Sequence, residues 1–484
     1  MTLNLPKERI SAISISINST IRETLQAIDR GALGTALLIE PETRRFVGLV
    51  TDGDIRRTLL SGYGLESPVS SVQRPQSKTA TWGMSQEEIA EMFSDPIRVV
   101  PLLDENGIVA DIAIFDKRVR LPVAEPYLNE KELAYVTECV LTGWVSSAGK
   151  FVTRFEEMLA EFSGTRYAIA TSSGTTALHL ALLALDIGPG DEVIVPTFSF
   201  IATANAVTYT GAKAVFVDSD LETWNINPNL IEEHITDRTK AIVPVHLYGH
   251  PADMDSILDI AQRHNLAVIE DAAEAHGARY KGRSVGGIGD LGAFSFYGNK
   301  IITTGEGGMV VTNRSDLADK MRVLRDHGMS KDRKYWHPVL GYNYRMTNLQ
   351  AALGVAQMEK IKGILATKAR IAAAYTQGLS DIRGIELPPN AEWAESVCWL
   401  FSILIDSQTF GISRDMLMKA LKEENIDTRP LFPPMHLQPI YNTGKSLPTA
   451  ESLSDRGLSL PSSVNLLAED IERTIETIRR INKS

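Results

Sequence analysis

Cysteine is scarce in this sequence, and the long one-sided runs that mark several kinds of protein are missing. Two cysteines, Cys139 and Cys398, occur among 484 residues, which argues against a disulfide framework and against a cysteine-based metal site. No apolar run reaches the roughly 18 residues that a membrane-spanning helix needs. The formal charge is −11 without a dense run of lysine and arginine, so no electrostatic signature of nucleic-acid binding is present.

The N-terminal stretch, MTLNLPKERISAIS, also lacks the apolar core of a signal peptide, so we expect a cytoplasmic protein. Hydrophobic residues make up 44% of the chain and charged residues 23%, a balance typical of globular proteins. The length predicts two or three domains, because one hydrophobic core rarely grows to this size.

A pattern of short strands and helices occurs twice in residues 1–118. The first copy covers residues 13–62 and the second, which is less regular, covers residues 78–118. Each combines a helix start rich in Ser, Thr and Glu with a glycine turn and a β-branched run. The duplication predicts two similar α/β units that pack together.

Apolar strands alternate with helices beyond residue 118, as in DEVIVPTF (191–198) and LAVIEDAAEA (266–275). This alternation predicts a largely parallel sheet with helices on both faces. Ligands of such sheets bind beyond the carboxyl ends of the strands. We predict this large domain over residues 119–370 and a smaller α+β domain over residues 371–484.

Two polar residues stand where apolar strands are predicted to end. Asp271 ends one strand and precedes small residues predicted to lead into a helix, and Lys300 follows another strand beside a glycine-rich loop. Taken singly, Asp271 is equally well explained as a helix N-cap, and Lys300 is better explained as a solvated surface charge. Together they match a pyridoxal 5′-phosphate (PLP) enzyme, where a lysine binds the aldehyde and an acid keeps the pyridine nitrogen protonated.

The phosphate of such a cofactor needs hydrogen-bond donors. SSGTTALHL (172–180) opens a helix, and the N–H groups of residues 174–176 favour an anion there, although an ordinary Ser/Thr cap is the alternative. Ser295 supplies a further hydroxyl. Phe200 is a candidate to stack on the ring, whereas we expect Phe198 to pack in the core.

One glycine motif suggests a different ligand. GIGDLG (287–292) matches the G-x-G-x-x-G spacing of dinucleotide-binding loops. That loop must follow a strand and open a helix, whereas here the polar YKGRSVG precedes it and a strand follows. We therefore predict no dinucleotide site. GEGG (305–308) likewise lacks the G-K-[ST] ending of a P-loop.

Seven motifs within residues 120–484 resemble those of the DegT/DnrJ/EryC1/StrS family of sugar aminotransferases. In chain order they are TGWVSSAGKFVTRFE, SSGTTALHLAL, VIVPTFSF, EDAAEAHGA, SFYGNKIITTGEGG, GYNYRMTNLQAA and RPLFPPMHLQPIY. The resemblance implies a fold-type I PLP-dependent transferase with a mostly parallel seven-stranded sheet. It implies PLP or its amine form, PMP, as cofactor.

The resemblance also implies roles for individual residues. Lys300 would bind PLP and move protons, Asp271 would pair with the ring nitrogen, and Glu274 would lie near the cofactor's hydroxyl. The phosphate ligands and the ring-stacking residue would be Gly174, Thr175, Thr176, Ser295 and Phe200. Asn343 would reach the phosphate bound in the partner subunit, so a homodimer is implied.

Substrate contacts would come from Trp144, Ser146, Arg429 and His436. For Arg429, whose fork suits the glutamate carboxylate or a sugar diphosphate, a surface ion pair is an equal alternative. For His436 the alternative is a packed loop histidine.

The reaction implied is transfer of the amino group of L-glutamate to C4 of a nucleotide sugar, GDP-4-keto-6-deoxy-D-mannose, for surface polysaccharide synthesis. A UDP- or dTDP-linked 4-keto sugar is an alternative substrate. A nucleotide-sensing regulatory protein with an inactive aminotransferase fold is an alternative of another class, and the set Lys300, Asp271 and Ser295 argues against it.

Residues 1–118 resemble a pair of CBS domains. GLVTDGDIRR (48–57) matches their G-x-V-T-x-x-D signature, which implies that Thr51 and Asp54 bind the ribose of an adenine or guanine nucleotide. The second copy, GIVADIAIFDKR (107–118), lacks the threonine. A module that stabilises a dimer without a ligand is the alternative.

Overall fold

The chain divides into two units between residues 120 and 121. The computed structural model describes residues 7–31, 33–74, 77–84, 88–89, 92, 99–114, 120–442 and 444–483. The predicted domain boundary at residues 118 and 119 lies outside these residues. Within the described ranges, no helix combines the length and the apolar character needed to cross a membrane.

The N-terminal unit contains two three-stranded sheets. Their strands are β1 (Ser14–Ser16), β2 (Thr35–Ile39) and β3 (Phe46–Thr51) in one, and β4 (Ala80–Thr81), β5 (Val99–Leu103) and β6 (Val109–Ile114) in the other. In each sheet the first strand pairs parallel with the second, and the second pairs antiparallel with the third. This repeated pairing confirms the predicted internal duplication.

The two sheets share a small core, in which Ile13 and Leu37 pack with Val99 and Ile112. The helices of this unit are Lys7–Ile13, Ile21–Gly31 and Asp52–Leu60. The helix expected in the second copy falls largely on residues 85–98, most of which lie outside the described part of the chain.

A seven-stranded sheet forms the centre of the C-terminal unit. Its strands are β7 (Tyr167–Thr171), β8 (Glu192–Pro196), β9 (Lys213–Val217), β10 (Thr239–Ile242), β11 (Ala267–Asp271), β14 (Leu291–Ser295) and β15 (Gly308–Thr312). Their spatial order is β7-β15-β14-β11-β10-β8-β9, and β15 alone in this sheet runs antiparallel to its neighbours. The predicted mostly parallel seven-stranded sheet is confirmed.

Both faces of this sheet are buried, which explains the continuous apolar runs in its strands. In β8 the side chain of Ile194 joins the core on one face, while Val193 and Val195 join the core on the other. The covering helices are Glu130–Thr142, Lys150–Ser163, Gly174–Ala184, Ala202–Tyr209, Met254–His264, Ser315–Leu324 and Asn348–Leu379.

The last of these helices is 32 residues long, and Thr347 caps its N-terminus together with Gln350. The boundary predicted between residues 370 and 371 falls inside this helix. The unit also contains two small sheets. They comprise β12 (Arg279–Tyr280), β13 (Arg283–Ser284) and β17 (Ala394–Glu395) in one, and β16 (Ile385–Glu386), β18 (Ser402–Ile405), β19 (Arg429–Pro430) and β20 (Gly457–Ser459) in the other. The remaining helices are Ser407–Phe410, Arg414–Glu423, Pro448–Arg456 and Ala468–Lys483.

Candidate active site

A cleft of about 390 Å³ lies beyond the carboxyl ends of β11 and β14. Its position follows from the sheet, because the loops that leave neighbouring parallel strands open at the same edge. Eight predicted site residues line it: Gly174, Thr175, Phe200, Asp271, Glu274, Ser295, Lys300 and Arg429. These residues come from five of the sequence motifs, so the fold brings together what the motifs located singly.

Asp271 is the last residue of β11, and its carboxylate is almost completely buried. Oδ2 accepts a 2.8 Å hydrogen bond from the hydroxyl of Thr203, and Oδ1 accepts a 3.2 Å bond from the N–H of Ala273. Burial raises the pKa of Asp271, while the Thr203 hydroxyl and the amine of Lys300 oppose the shift. The predicted helix after Asp271 is wrong, since residues 272–277 form turns, so Asp271 is not a helix N-cap.

Lys300 extends into the cleft five residues after the end of β14. Its Nζ atom lies 3.2 Å from Oε1 of Glu274 and 3.8 Å from the ring centre of Trp399. The side chain of Lys300 is 11% exposed and that of Glu274 is 4% exposed, so this ion pair is shielded from water. The solvated surface charge considered for Lys300 is therefore wrong.

Glu274 is held from its other side by the backbone of Tyr248, whose N–H donates a 2.9 Å hydrogen bond to Oε2. Burial raises the pKa of Glu274, and the Lys300 amine opposes that shift. Tyr248 has a φ of 51°, a left-handed conformation that is strained for a bulky residue. The strain is offset by contacts that include this hydrogen bond to the ion pair.

The helix Gly174–Ala184 begins at the cleft. Ser173 and Thr176 form a capping box at its start. The N–H of Thr176 donates to the hydroxyl of Ser173, and the N–H of Ser173 donates to the hydroxyl of Thr176. The Ser/Thr cap considered as an alternative is thus present. Thr176 is part of this cap and does not line the cleft. Gly174 and Thr175 do line the cleft, so a helix N-terminus with its partial positive charge faces the cavity.

Gly174 is required by its distance from the end of β14. A Cβ atom at this position would lie 2.6 Å from Cβ and 2.9 Å from Oγ of Ser295. The missing side chain lets the helix N-terminus and the Ser295 hydroxyl converge on one small volume.

The two phenylalanines of VPTFSF have different surroundings. Phe200 lines the cleft with 55% of its surface exposed, and Phe198 is buried in the core with 1% exposed, which confirms the packing role predicted for Phe198. The ring of Phe200 lies 5.8 Å from that of Phe432, which stacks on Tyr248 at 5.3 Å.

His436, predicted to contact the substrate, does not line the cleft. Its imidazole is fully buried, with Nδ1 2.7 Å from the hydroxyl of Thr197 and Nε2 3.2 Å from Glu451. Packing against two polar partners accounts for it, as in the alternative of a packed loop histidine.

Three further predicted residues lie outside the cleft of their own chain. Trp144 is 59% exposed, and the main-chain carbonyls of Trp144 and Ser146 accept hydrogen bonds from Asn348. The side-chain amide oxygen of Asn343 accepts a hydrogen bond from Arg345. Within the described residues, Arg429 at the cleft rim forms no ion pair with an acidic side chain, so the surface ion pair considered for it is not present.

Sequence reasoning missed Thr203, Tyr248 and Trp399, all of which border the cleft. Trp399 lies three residues before the strand that begins at Ser402. No local pattern marks these residues, because each is defined by a contact with a group tens of residues away.

The glycine motif GIGDLG binds a carboxylate of the chain itself. The N–H groups of Gly286, Ile288 and Gly289 donate hydrogen bonds of 2.6–2.7 Å to the buried side chain of Glu270, the residue before Asp271. His246 Nε2 lies 2.9 Å from the same carboxylate. The backbone nest is therefore occupied by Glu270.

In the N-terminal unit, Thr51 and Asp54 hydrogen bond to each other. Thr51 is the N-cap of the helix Asp52–Leu60, and Asp54 accepts bonds from both its N–H and its hydroxyl. Asp54 also pairs with Arg57 at 2.6 Å. These contacts give both residues a structural role as a capping box.

The comparisons with known proteins agree with this fold. Residues 126–479 match the DegT/DnrJ/EryC1/StrS aminotransferase family. The GDP-perosamine synthase of Caulobacter vibrioides is 48% identical over 365 residues, 75% of this chain and 98% of the relative. The GDP-perosamine synthase of Escherichia coli O157:H7 is 46% identical over 359 residues, 74% of this chain and 97% of the relative.

Two solved structures are also similar. That of DesV from S. venezuelae, in complex with a ketimine intermediate, has a TM-score of 0.70 and 37% identity, and the match covers 75% of this chain and 100% of DesV. That of Spr1654 from Streptococcus pneumoniae in its PMP form has a TM-score of 0.71 and 27% identity, over 75% and 98% of the two chains.

The fold and the site define an aminotransferase of fold type I. The chain belongs to the DegT/DnrJ/EryC1/StrS aminotransferase family, as its motifs predicted. The match begins at residue 126, so the N-terminal unit lies outside it.

Proposed function

We propose that this protein is a PLP-dependent aminotransferase that moves the amino group of L-glutamate to C4 of GDP-4-keto-6-deoxy-D-mannose and so forms GDP-perosamine. The observation that carries the proposal is the buried Lys300–Glu274 pair, which shares one cleft with Asp271 and Ser295. The choice of sugar is supported by three relatives, 41–48% identical, that are named GDP-perosamine synthases.

The residues of the cleft fit PLP. A buried acid ends a strand, a lysine amine lies inside the cavity, and a helix N-terminus converges with a serine hydroxyl where only glycine fits. The PMP form of the similar protein Spr1654 supports the same cofactor. When bound, PLP supplies a conjugated ring that draws electrons from the reacting carbon.

Each residue then has a defined task. Asp271 would hold the positive charge on the ring nitrogen, and Ser295 with the N–H groups of residues 174 and 175 would bind the phosphate. Phe200 would stack on the ring, and Glu274 would bind the ring hydroxyl. Lys300 would anchor the cofactor, accept the proton from Cα of glutamate and deliver a proton to C4 of the sugar.

Arg429 is proposed to bind the carboxylate of glutamate or the diphosphate of the sugar. Its guanidinium lies at the rim of the cleft, where a fork of donors suits either anion.

We propose a homodimer in which Asn343, Trp144 and Ser146 serve the cleft of the partner subunit. Their position outside the cleft of their own chain supports this arrangement.

The N-terminal unit is proposed to be a CBS pair, and its duplicated strand pairing supports this reading. A nucleotide bound there would have to replace the mutual hydrogen bonds of Thr51 and Asp54. Titration calorimetry of the full chain with ATP, AMP and GDP tests the site. Binding that Asp54→Asn abolishes supports it, and no heat with any of the three favours a ligand-free module.

The function is tested with the Lys300→Ala variant. It is expected to lose the visible absorbance of bound PLP and all amination, whereas Lys281→Ala, which removes an exposed lysine paired with Asp255, is expected to retain both. Amination by Lys300→Ala at the wild-type rate contradicts the assignment. Assays with GDP-, UDP- and dTDP-linked 4-keto sugars, with glutamate as donor, identify the nucleotide.

A further inference from the structure

A second buried lysine lies behind the cleft. Lys368, on the helix Asn348–Leu379, is 4% exposed. Its Nζ atom donates hydrogen bonds of 2.6 Å to the carbonyl oxygens of Trp399 and Ser462, and no acidic side chain of the described residues forms an ion pair with it. A buried ammonium without a carboxylate is costly, so a role beyond packing is expected of it.

Trp399 is held at each of its polar groups. Its carbonyl accepts from Lys368, its N–H donates to the carbonyl of Tyr248 at 2.9 Å, and its indole Nε1 donates to the carbonyl of Asn299 at 2.7 Å. The residue before it, Cys398, has a φ of 49°. The backbone is thus turned sharply at this point and fixed in that turn.

The fixed indole ring meets the reacting amine. Nζ of Lys300 lies 3.8 Å from the ring centre of Trp399, within the range of a cation–π contact, and the other partner of the amine is Glu274 at 3.2 Å. Asn299, whose carbonyl binds the indole, is the neighbour of Lys300 in sequence. The indole therefore constrains both the amine of Lys300 and the backbone that carries it.

We propose that Lys368 is a positioning residue, which fixes Trp399 so that its indole ring holds the amine of Lys300 against Glu274. Lys368 does not line the cleft and acts through the Trp399 carbonyl. Burial lowers the pKa of Lys368 to about 8, which agrees with an amine that forms hydrogen bonds and no ion pair. The kinetic part of the test rests on the function proposed for Lys300, but the labelling part does not.

The test compares Lys368→Met with Lys368→Arg and with a control, Lys360→Met. Lys360 lies two turns earlier on the same helix, donates to the carbonyl of Tyr127 at 3.0 Å and pairs with Glu132 at 2.7 Å. The cofactor-free proteins are acetylated briefly with acetic anhydride. Mass spectrometry then gives the labelling of Lys300 relative to the exposed Lys362 in the same digest.

Lys368→Met is expected to raise the relative labelling of Lys300 by about threefold, because the indole no longer confines the amine. Lys368→Arg, which can donate to both carbonyls, is expected to return it to near the wild-type value, and Lys360→Met to leave it unchanged. In the loaded enzyme, kcat is expected to fall in Lys368→Met with little change in the KM for glutamate.

A Lys368→Met protein with wild-type labelling of Lys300 and wild-type kcat, but a lower melting temperature, overturns the proposal and leaves Lys368 as a structural brace. If Lys368→Met does not fold, Trp399→Phe decides, since it keeps a ring and loses the bond to Asn299. Increased labelling of Lys300 in that variant supports the proposal, and unchanged labelling refutes it. Failure of the proposed function is seen separately, as activity retained by Lys300→Ala.

Discussion

The hydroxyl of Thr203 donates a 2.8 Å hydrogen bond to Oδ2 of Asp271, and both side chains are buried. This bond stabilises the ionised carboxylate, and it opposes the burial that raises the pKa of Asp271. The helix that begins at Ala202 and the strand that ends at Asp271 are thereby linked at the point where the ring nitrogen of the cofactor is proposed to lie.

In Thr203→Val, the acidic pH at which kcat/KM falls to half its maximum is expected to rise by about one unit. A hydrogen bond to a charged group contributes an energy of about this size. The direction of the shift follows because activity requires Asp271 in its ionised form. The variant raises the pKa of Asp271 further, so protonation and loss of activity begin at a higher pH as the pH falls. Thr203→Ser keeps the hydroxyl and should retain the wild-type value. Identical pH profiles for the Val and Ser variants would show that the hydroxyl has no such effect.

Glu274→Gln is expected to destabilise the cofactor-free protein by about 1.5–3 kcal/mol, because the ammonium of Lys300 loses its buried counter-charge. Gln keeps an acceptor for the N–H of Tyr248, so the loss concerns mainly the ion pair. Urea unfolding at pH 7 measures it. The control, Glu306→Gln, changes an exposed glutamate at the same cleft and should leave the midpoint unaltered. Equal midpoints for both variants contradict the role of the pair.

Gly174→Ala is expected to weaken PLP binding roughly tenfold or more, since the new methyl group would lie 2.6 Å from Cβ of Ser295 and overpack the junction. The N-terminus of helix Gly174–Ala184 and the end of β14 must then move away from each other. Cofactor affinity is measured by titrating the visible absorbance. Gly363→Ala serves as the control, because its Cβ would meet open space within a helix, and it is expected to bind PLP normally. Normal affinity in Gly174→Ala would remove Gly174 from the phosphate site.

The strand ends explain how far the sequence predicts this site. Asp271 and Lys300 were identifiable because each follows an apolar run, and parallel strands place such ends at one edge of a sheet. The turns after Asp271 were missed, since AAEAHGA has small residues that favour a helix in isolation, whereas the hydrogen bond from the N–H of Ala273 to Asp271 stabilises a turn. Trp399 was beyond reach, because its contact with Lys300 spans 99 positions and depends on the tertiary fold.

Asn343→Ala and Lys300→Ala are each expected to be inactive, yet a mixture of the two is expected to recover activity if Asn343 serves the partner subunit. In a mixed dimer, the cleft that keeps Lys300 receives Asn343 from the other subunit. Random exchange at equal amounts gives about a quarter of the wild-type activity. The subunits must be exchanged before the assay, for example through dilute urea. No recovery, with mixed dimers verified by differently tagged chains, would place Asn343 in its own subunit's site or outside both.

The lowered pKa of Lys368 predicts that the free energy of unfolding depends on pH in the alkaline range. Burial lowers its pKa from 10.5 to about 8 in the folded chain, so the unfolded chain binds more protons between these two values. Stability therefore rises with pH across this window, because deprotonation removes the penalty of a buried charge, which is roughly 3 kcal/mol when fully present below pH 8.

Lys368→Met lacks this titration, so the free energy of unfolding of the wild type minus that of the variant is expected to increase between pH 8 and 10.5. Taking the difference removes the other groups that titrate in both proteins, and Lys362→Met, which removes an exposed lysine of the same helix, controls for the substitution itself. Urea unfolding at half-unit steps measures the slope. A difference that stays flat across the window would mean that burial does not lower the pKa of Lys368 in the folded protein.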